Sequence, residues 1–73
     1  MMTVMTKLEI SLNGKRVESE AATLHALLVA QGFALQGAIA CAVNNRFVPR
    51  AQWASRTLQS GDRVDVVTPI TGG

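Results

Sequence analysis

From Leu8 to Leu12 the chain alternates: Leu8, Ile10 and Leu12 are apolar, Glu9 and Ser11 polar. A period of two describes a strand with one buried and one wet face. Asn13-Gly14 follows, the dipeptide best suited to the two positive-φ positions of a type I′ turn. Val17 then resumes the inward face on a return strand, so "KLEISLNGKRVES" predicts a β-hairpin, the strongest local signal in the chain. The period changes at Leu24. Leu24, Leu27 and Leu28 stand at i, i+3 and i+4, one apolar stripe of a helix. Thr23 can cap its orphan N–H groups, Gly32 suits the left-handed residue that ends a helix, and Phe33 can supply the apolar contact after such a cap. The helix is placed at 23–31.

Alternation returns in "GAIACAVNNRFVPR". Ile39, Cys41 and Val43 share one face of a strand, while Ala38, Ala40 and Ala42 share the other, where such small residues imply a closely packed neighbour. Asn44-Asn45 makes a tight turn into a short return strand. Pro49 cannot donate to a ladder, so that strand ends there or lies at an edge. "RAQWASRTL" holds at most one helical turn. A Ser60-Gly61-Asp62 turn then precedes a strand with Val64 and Val66 facing inward. The order β-β-α-β-β-(turn)-β predicts an α+β domain, a mixed sheet of four to five strands packed on one main helix. A ubiquitin-like β-grasp is the compact arrangement that fits this order and length. Residues 1–73 form a single domain in this reading, with 1–6 a flexible N-terminus and 68–73 an extended C-terminal tail.

Composition narrows the function more than the fold. A chain of 73 residues buries only about 60% of the surface its unfolded form exposes. With 48% apolar and 16% charged residues it is built to fold. The net charge of +2 comes from scattered bases: Lys7, Lys15, Arg16, Arg46, Arg50, Arg56 and Arg63. Only Phe33, Phe47 and Trp53 are aromatic. Nucleic-acid faces cluster their bases and add stacking aromatics, so no nucleic-acid partner is expected. A lone Cys41 excludes an internal disulfide and favours a reducing compartment. "MMTVMTKLEI" lacks the pattern of a signal peptide, and apolar runs such as "AIACAV" are far too short to span a bilayer. The expectation is a cytoplasmic protein with no membrane partner.

No intrinsic active site is visible. His25 lies off the leucine stripe and reads as a solvent-facing helix residue. Cys41 could be a thiol nucleophile or persulfide carrier, but it sits between alanines on the Ile39/Val43 face and reads first as a small core residue. One His and one Cys give no metal-site spacing. No phosphate-binding loop occurs, and Glu9, Glu18, Glu20, Asp62 and Asp65 form no catalytic pair. Arg46 and Arg50 flank "FVP" and either meet an acidic partner or sit in a solvated loop. Phe47 and Leu58 are candidates for an apolar partner contact, with burial in the core the preferred reading of both.

What remains is "TPITGG" at the C-terminus. Glycine is costly to order, and two terminal glycines arise by chance in roughly one chain in two hundred. Pro69 cannot extend a ladder and biases Thr68 toward extended backbone. Residues 68–73 can therefore reach roughly 20 Å from the sheet. Gly72-Gly73 has no Cβ to obstruct a narrow channel, and the terminal carboxylate is ionised at neutral pH. Such an end suits a carboxylate activated by a partner enzyme. By physical chemistry alone, a frayed terminus fits equally well.

A resemblance separates the two. "VNNRFVPRAQWASRTLQSGDRVDVVTPITGG" closely resembles the thiamine-biosynthesis sulfur carrier family, known as ThiS. The match covers most of 39–73 and rests on "VPR-x-x-W" (Val48, Pro49, Arg50, Trp53), "L-x-x-GD" (Leu58, Gly61, Asp62) and Gly72-Gly73. "TLHALL" also looks like the family's helix. Met1 to Met5 extend beyond the family's usual start, Cys41 is not part of its pattern, and Pro69 adds stiffness to the tail. The resemblance implies a sulfur carrier that is not itself an enzyme and binds no cofactor. An E1-like adenylyltransferase of ThiF type would use ATP and Mg²⁺ to adenylate the Gly73 carboxylate. A sulfur donor such as a cysteine desulfurase would turn it into a thiocarboxylate, and a ThiG-type thiazole synthase would take the sulfur. Ile70, Thr71 and Gly72 would be the tail recognised by these partners, and Phe47, Arg50 and Leu58 possible further contacts. The alternatives are a carrier of the molybdopterin synthase small-subunit type, a ubiquitin-like modifier, and a β-grasp binding module with an inert tail.

Overall fold

The computed structural model describes residues 7–68. The expected N-terminal extension, and Ile70, Thr71, Gly72 and Gly73 of the tail, lie outside the described residues. Five strands, one α-helix and one 3₁₀ turn follow in the order β1 (Leu8–Leu12), β2 (Lys15–Ser19), α1 (Leu24–Ala30), β3 (Ala40–Val43), β4 (Arg46–Val48), the 3₁₀ turn Arg50–Gln52, and β5 (Arg63–Val67).

Both hairpins turn on asparagine. Asn13 and Gly14 have φ of 53° and 82°, and Asn44 and Asn45 of 53° and 68°. Each pair supplies the two left-handed positions of a primed turn, whose twist matches that of the strands it joins. α1 is closed at both ends as its sequence requires. The Thr23 hydroxyl accepts from the Ala26 N–H at 3.1 Å. Gly32 has φ 84°; its N–H donates to the Val29 carbonyl and the Phe33 N–H to the Leu28 carbonyl, at 3.1 and 3.0 Å. These two bonds are a Schellman closure, and Phe33 packs against the core beside it.

The sheet runs β2-β1-β5-β3-β4. β1 and β5 are parallel; the other pairs are antiparallel. Bringing the first and last strands side by side in parallel makes β5 the central strand, and α1 crosses one face. Leu24, Leu27 and Leu28 are fully buried against Ile10, Cys41, Val43 and Val64. This is the mixed sheet on one helix expected from the pattern, with β-grasp topology.

One expectation about the faces is corrected. Ala38 and Ala40 are exposed and Ala42 half-buried, so among the described residues no second layer covers the alanine face of β3. Cys41 and Val43 occupy the single core-facing side, and the alanines are left on the outside of the sheet.

Candidate functional site

The chain reaches its last described residues through β5, so the bonds that hold β5 determine where the tail begins. Val64 and Val66 anchor it in the core at 0% and 8% exposure. The turn asparagines fix its backbone. The Asn13 N–H donates to the Val64 carbonyl at 2.8 Å, and the Val66 N–H donates to Asn13 Oδ1 at 2.7 Å. The Asn44 N–H donates to the Arg63 carbonyl at 2.7 Å, and the Arg63 N–H donates to Asn44 Oδ1 at 2.9 Å. Asn44 Nδ2 donates to Asp62 Oδ1 at 3.0 Å, while Asp62 Oδ2 accepts the Gln59 N–H at 2.8 Å. Read as turn formers alone, Asn13 and Asn44 conceal this second task. Their side chains extend the ladder past the ends of β1 and β3 and hold β5 from both sides. The Asp of the "L-x-x-GD" segment is the partner that completes the network.

The outer face of this half of the sheet is mixed: Asp65 on β5 stands opposite Ala42 and pairs with Arg63 at 3.3 Å, and exposed apolar residues lie beside them. Ala42 stands opposite Phe47 on β4, and Ala40 opposite Val67 on β5. Phe47 is 68% exposed and Val67 63%. Ala38, Ile39, Ala40 and Val67 line a shallow, almost wholly apolar hollow where the sheet ends. Phe47 is therefore a surface residue, against the preferred core reading. Leu58 goes the other way. It is 6% exposed and part of the core, with its N–H donating to the Ala22 carbonyl at 2.9 Å. Leu58 thus has the core position that was its preferred reading.

Arg50 is engaged within the chain. Its guanidinium donates to the Leu35 carbonyl and, at 2.6 Å, to the Gly37 carbonyl, and it lies 4.7 Å from the centroid of the Trp53 ring. Trp53 is 2% exposed, and its Nε1–H donates to the Val48 carbonyl at 3.0 Å. The "VPR-x-x-W" segment is thus a structural knot of β4, the 3₁₀ turn and the chain entering β3. Arg46 is exposed on β4. His25 is exposed on α1, and its backbone N–H donates to the Trp53 carbonyl at 3.1 Å. Cys41 is 2% exposed. Burial pushes its thiol above the usual range, with the Arg50 charge pulling the other way, which is the opposite of what a reactive thiolate requires. Among the described residues no group of three His, Cys, Asp or Glu side chains is placed to hold a metal, and no helix is long and apolar enough to cross a membrane.

The geometry defines a β-grasp domain whose central strand ends beside an exposed apolar hollow, with no assembled catalytic group among the described residues. Residues 5–73 match the model of the ThiS family, and the chain belongs to that family. It is 36% identical over 67 residues to the sulfur carrier protein ThiS of Escherichia coli (strain K12), covering 90% of this chain and 100% of that protein. Its fold is similar to the crystal structure of a thiamine biosynthesis protein, ThiS, from Geobacter metallireducens, with a TM-score of 0.75 at 23% identity over 90% of this chain and 100% of that one. The solution structure of a thiamine biosynthesis protein from Geobacter metallireducens gives a TM-score of 0.73 at 23% identity, covering 90% of this chain and 88% of that one.

Proposed function

We propose that this chain carries sulfur for thiamine biosynthesis on the carboxylate of Gly73. Members of the ThiS family are sulfur carriers and not catalysts, and the observation that carries the proposal is a family match that runs through Gly73 itself. The terminal carboxylate attacks the α-phosphate of ATP in an E1-like partner of ThiF type, with Mg²⁺ held there. Pyrophosphate leaves, and an acyl adenylate results. This mixed anhydride has a good leaving group, and its glycyl carbonyl is unhindered on both sides. A persulfide sulfur, such as that of a cysteine desulfurase, displaces AMP. Cleavage of the acyl disulfide by a thiol leaves the thiocarboxylate, whose sulfur passes to a ThiG-type thiazole synthase.

The described residues support this division of labour. Hydrogen bonds on both sides hold β5, so the segment after Val67 starts from a fixed point. Ile70, Thr71 and Gly72 are the stretch a partner channel would grip. Phe47 and Val67 present exposed apolar area next to that starting point, and we assign them to partner contact. Deleting Gly73, or adding one residue after it, is expected to abolish adenylation by the partner enzyme while leaving the circular dichroism spectrum and thermal midpoint unchanged. Undiminished AMP formation with either variant would refute the assignment of Gly73.

A further inference from the structure

Between Phe33 and Ala40 the chain joins α1 to β3 without regular structure. Among the described residues its backbone hydrogen bonds are local: the Gly37 N–H donates to the Ala34 carbonyl and the Ile39 N–H to the Gly37 carbonyl, both at 3.1 Å. Leu35 and Ile39 pack against the core, but Ala34, Gln36, Gly37 and Ala38 are exposed. The polar tether from this segment to the rest of the fold is Arg50, whose guanidinium binds the Leu35 and Gly37 carbonyls. A planar fork can satisfy two carbonyls two residues apart, where a lysine ammonium is a single point.

Arg50 is itself held in place. It opens the 3₁₀ turn after Pro49, whose φ is −61°, and its guanidinium lies over the buried ring of Trp53. The held segment ends in Ala38, Ile39 and Ala40, which with Val67 line the apolar hollow at the end of the sheet. A chain of contacts thus runs from the β4 carbonyl of Val48 through Trp53 and Arg50 to the segment that leads into that hollow.

We propose that Arg50 is a positioning residue: by clamping the Leu35 and Gly37 carbonyls it fixes the shape of the hollow formed by Ala38, Ile39, Ala40 and Val67, which the adenylating partner must fit when it takes up the tail. The docking half of this inference rests on the carrier function proposed above; the clamp itself does not. It also gives Arg50 a function in recognition without direct contact with an acidic partner.

The test compares the full chain with Arg50→Gln, Arg50→Lys and Val17→Ala. Val17 packs against the core from β2, at the opposite edge of the sheet, and its truncation lowers stability without touching the hollow. Adenylation by the partner enzyme is followed as pyrophosphate release against carrier concentration, and amide hydrogen exchange is read by residue. Arg50→Gln is expected to raise the apparent KM about tenfold, the scale of one charge-assisted hydrogen bond, with kcat unchanged. Arg50→Lys should fall between it and the wild type. Exchange should quicken across 34–40 and leave β1 and β2 as they were. Val17→Ala should lower the thermal midpoint with no change in KM. An unchanged KM in Arg50→Gln, an equal rise in Val17→Ala, or faster exchange spread over the whole sheet would each overturn the proposal. If the wild type is not adenylated at all, the carrier function falls and the docking half with it, while exchange across 34–40 still decides the clamp.

Discussion

At the scale of single residues, the chain's one cysteine shows how burial decides chemistry. Cys41 could have been a sulfur-handling thiol by composition, yet it points inward from β3 among Val43, Val48 and Val66. Its pKa is raised because the thiolate would lose its hydration there. The consequence for stability follows in sign. Above the ordinary thiol value of about 8.5 the unfolded chain releases its proton while the folded chain keeps it, so the unfolded state is favoured by rising pH. The urea midpoint of the wild type is therefore expected to fall as pH climbs from about 8 toward 10. In Cys41→Ala this part of the slope should disappear, although the midpoint at neutral pH is itself lower. An identical slope in both proteins would show that the thiol does not contribute.

At the scale of elements, the two faces of the sheet separate what folds the chain from what it presents. Leu58 and Phe47 are both large apolar residues near β4 and β5, and sequence pattern treats them alike. The structure places Leu58 inside and Phe47 outside. Leu58→Ala is expected to cost roughly 2–5 kcal/mol, as for other buried leucines. Phe47→Ser should stay within about 0.5 kcal/mol of the wild type, as surface changes do, yet weaken adenylation by raising the carrier concentration required. Denaturant titration and steady-state kinetics on the same pair read both effects, and the opposite pattern would exchange their roles. Most of the elements were legible in the chain. The β1–β2 hairpin, the capped helix with its Gly32 stop, the Asn44-Asn45 turn and the inward Val64 and Val66 follow from local periodicity and turn chemistry, which need no tertiary information. The two faces of β3 were legible, but what covers the alanine face was not. Alanines at 38, 40 and 42 suit either a tight interface or an open surface, and only the position of α1 on the opposite side decides between them. Nor was Arg50, whose carbonyl partners lie 15 and 13 residues away along the chain.

At the scale of the whole molecule, the fold brings β1 and β5 together in parallel at the centre of the sheet. The last strand is thereby flanked on both sides and tied by Asn13 and Asn44, so the chain leaves the described fold from a fixed base. A domain this small can spare little of its interior for an active site; among the described residues, the twelve buried apolar ones are committed to one core. Under the proposed function the reactive atom stands at the end of the chain, and the domain would serve as a handle for partner enzymes that carry out the chemistry. That arrangement explains why the "VPR-x-x-W" and "L-x-x-GD" segments, the residues that most resemble the family, shape and anchor the region around β5 and supply no catalytic group.

The central claim, that the Gly73 carboxylate is the atom group that carries sulfur, is tested most directly by intact-mass spectrometry. The chain is incubated with a ThiF-type adenylating enzyme, ATP, Mg²⁺ and a persulfide source, under conditions that thiolate a known sulfur carrier. The expected result is a mass increase equal to the exchange of one oxygen for sulfur, located in the C-terminal peptide ending at Gly73. An unchanged mass, or the same exchange in a chain lacking Gly73, would contradict the account.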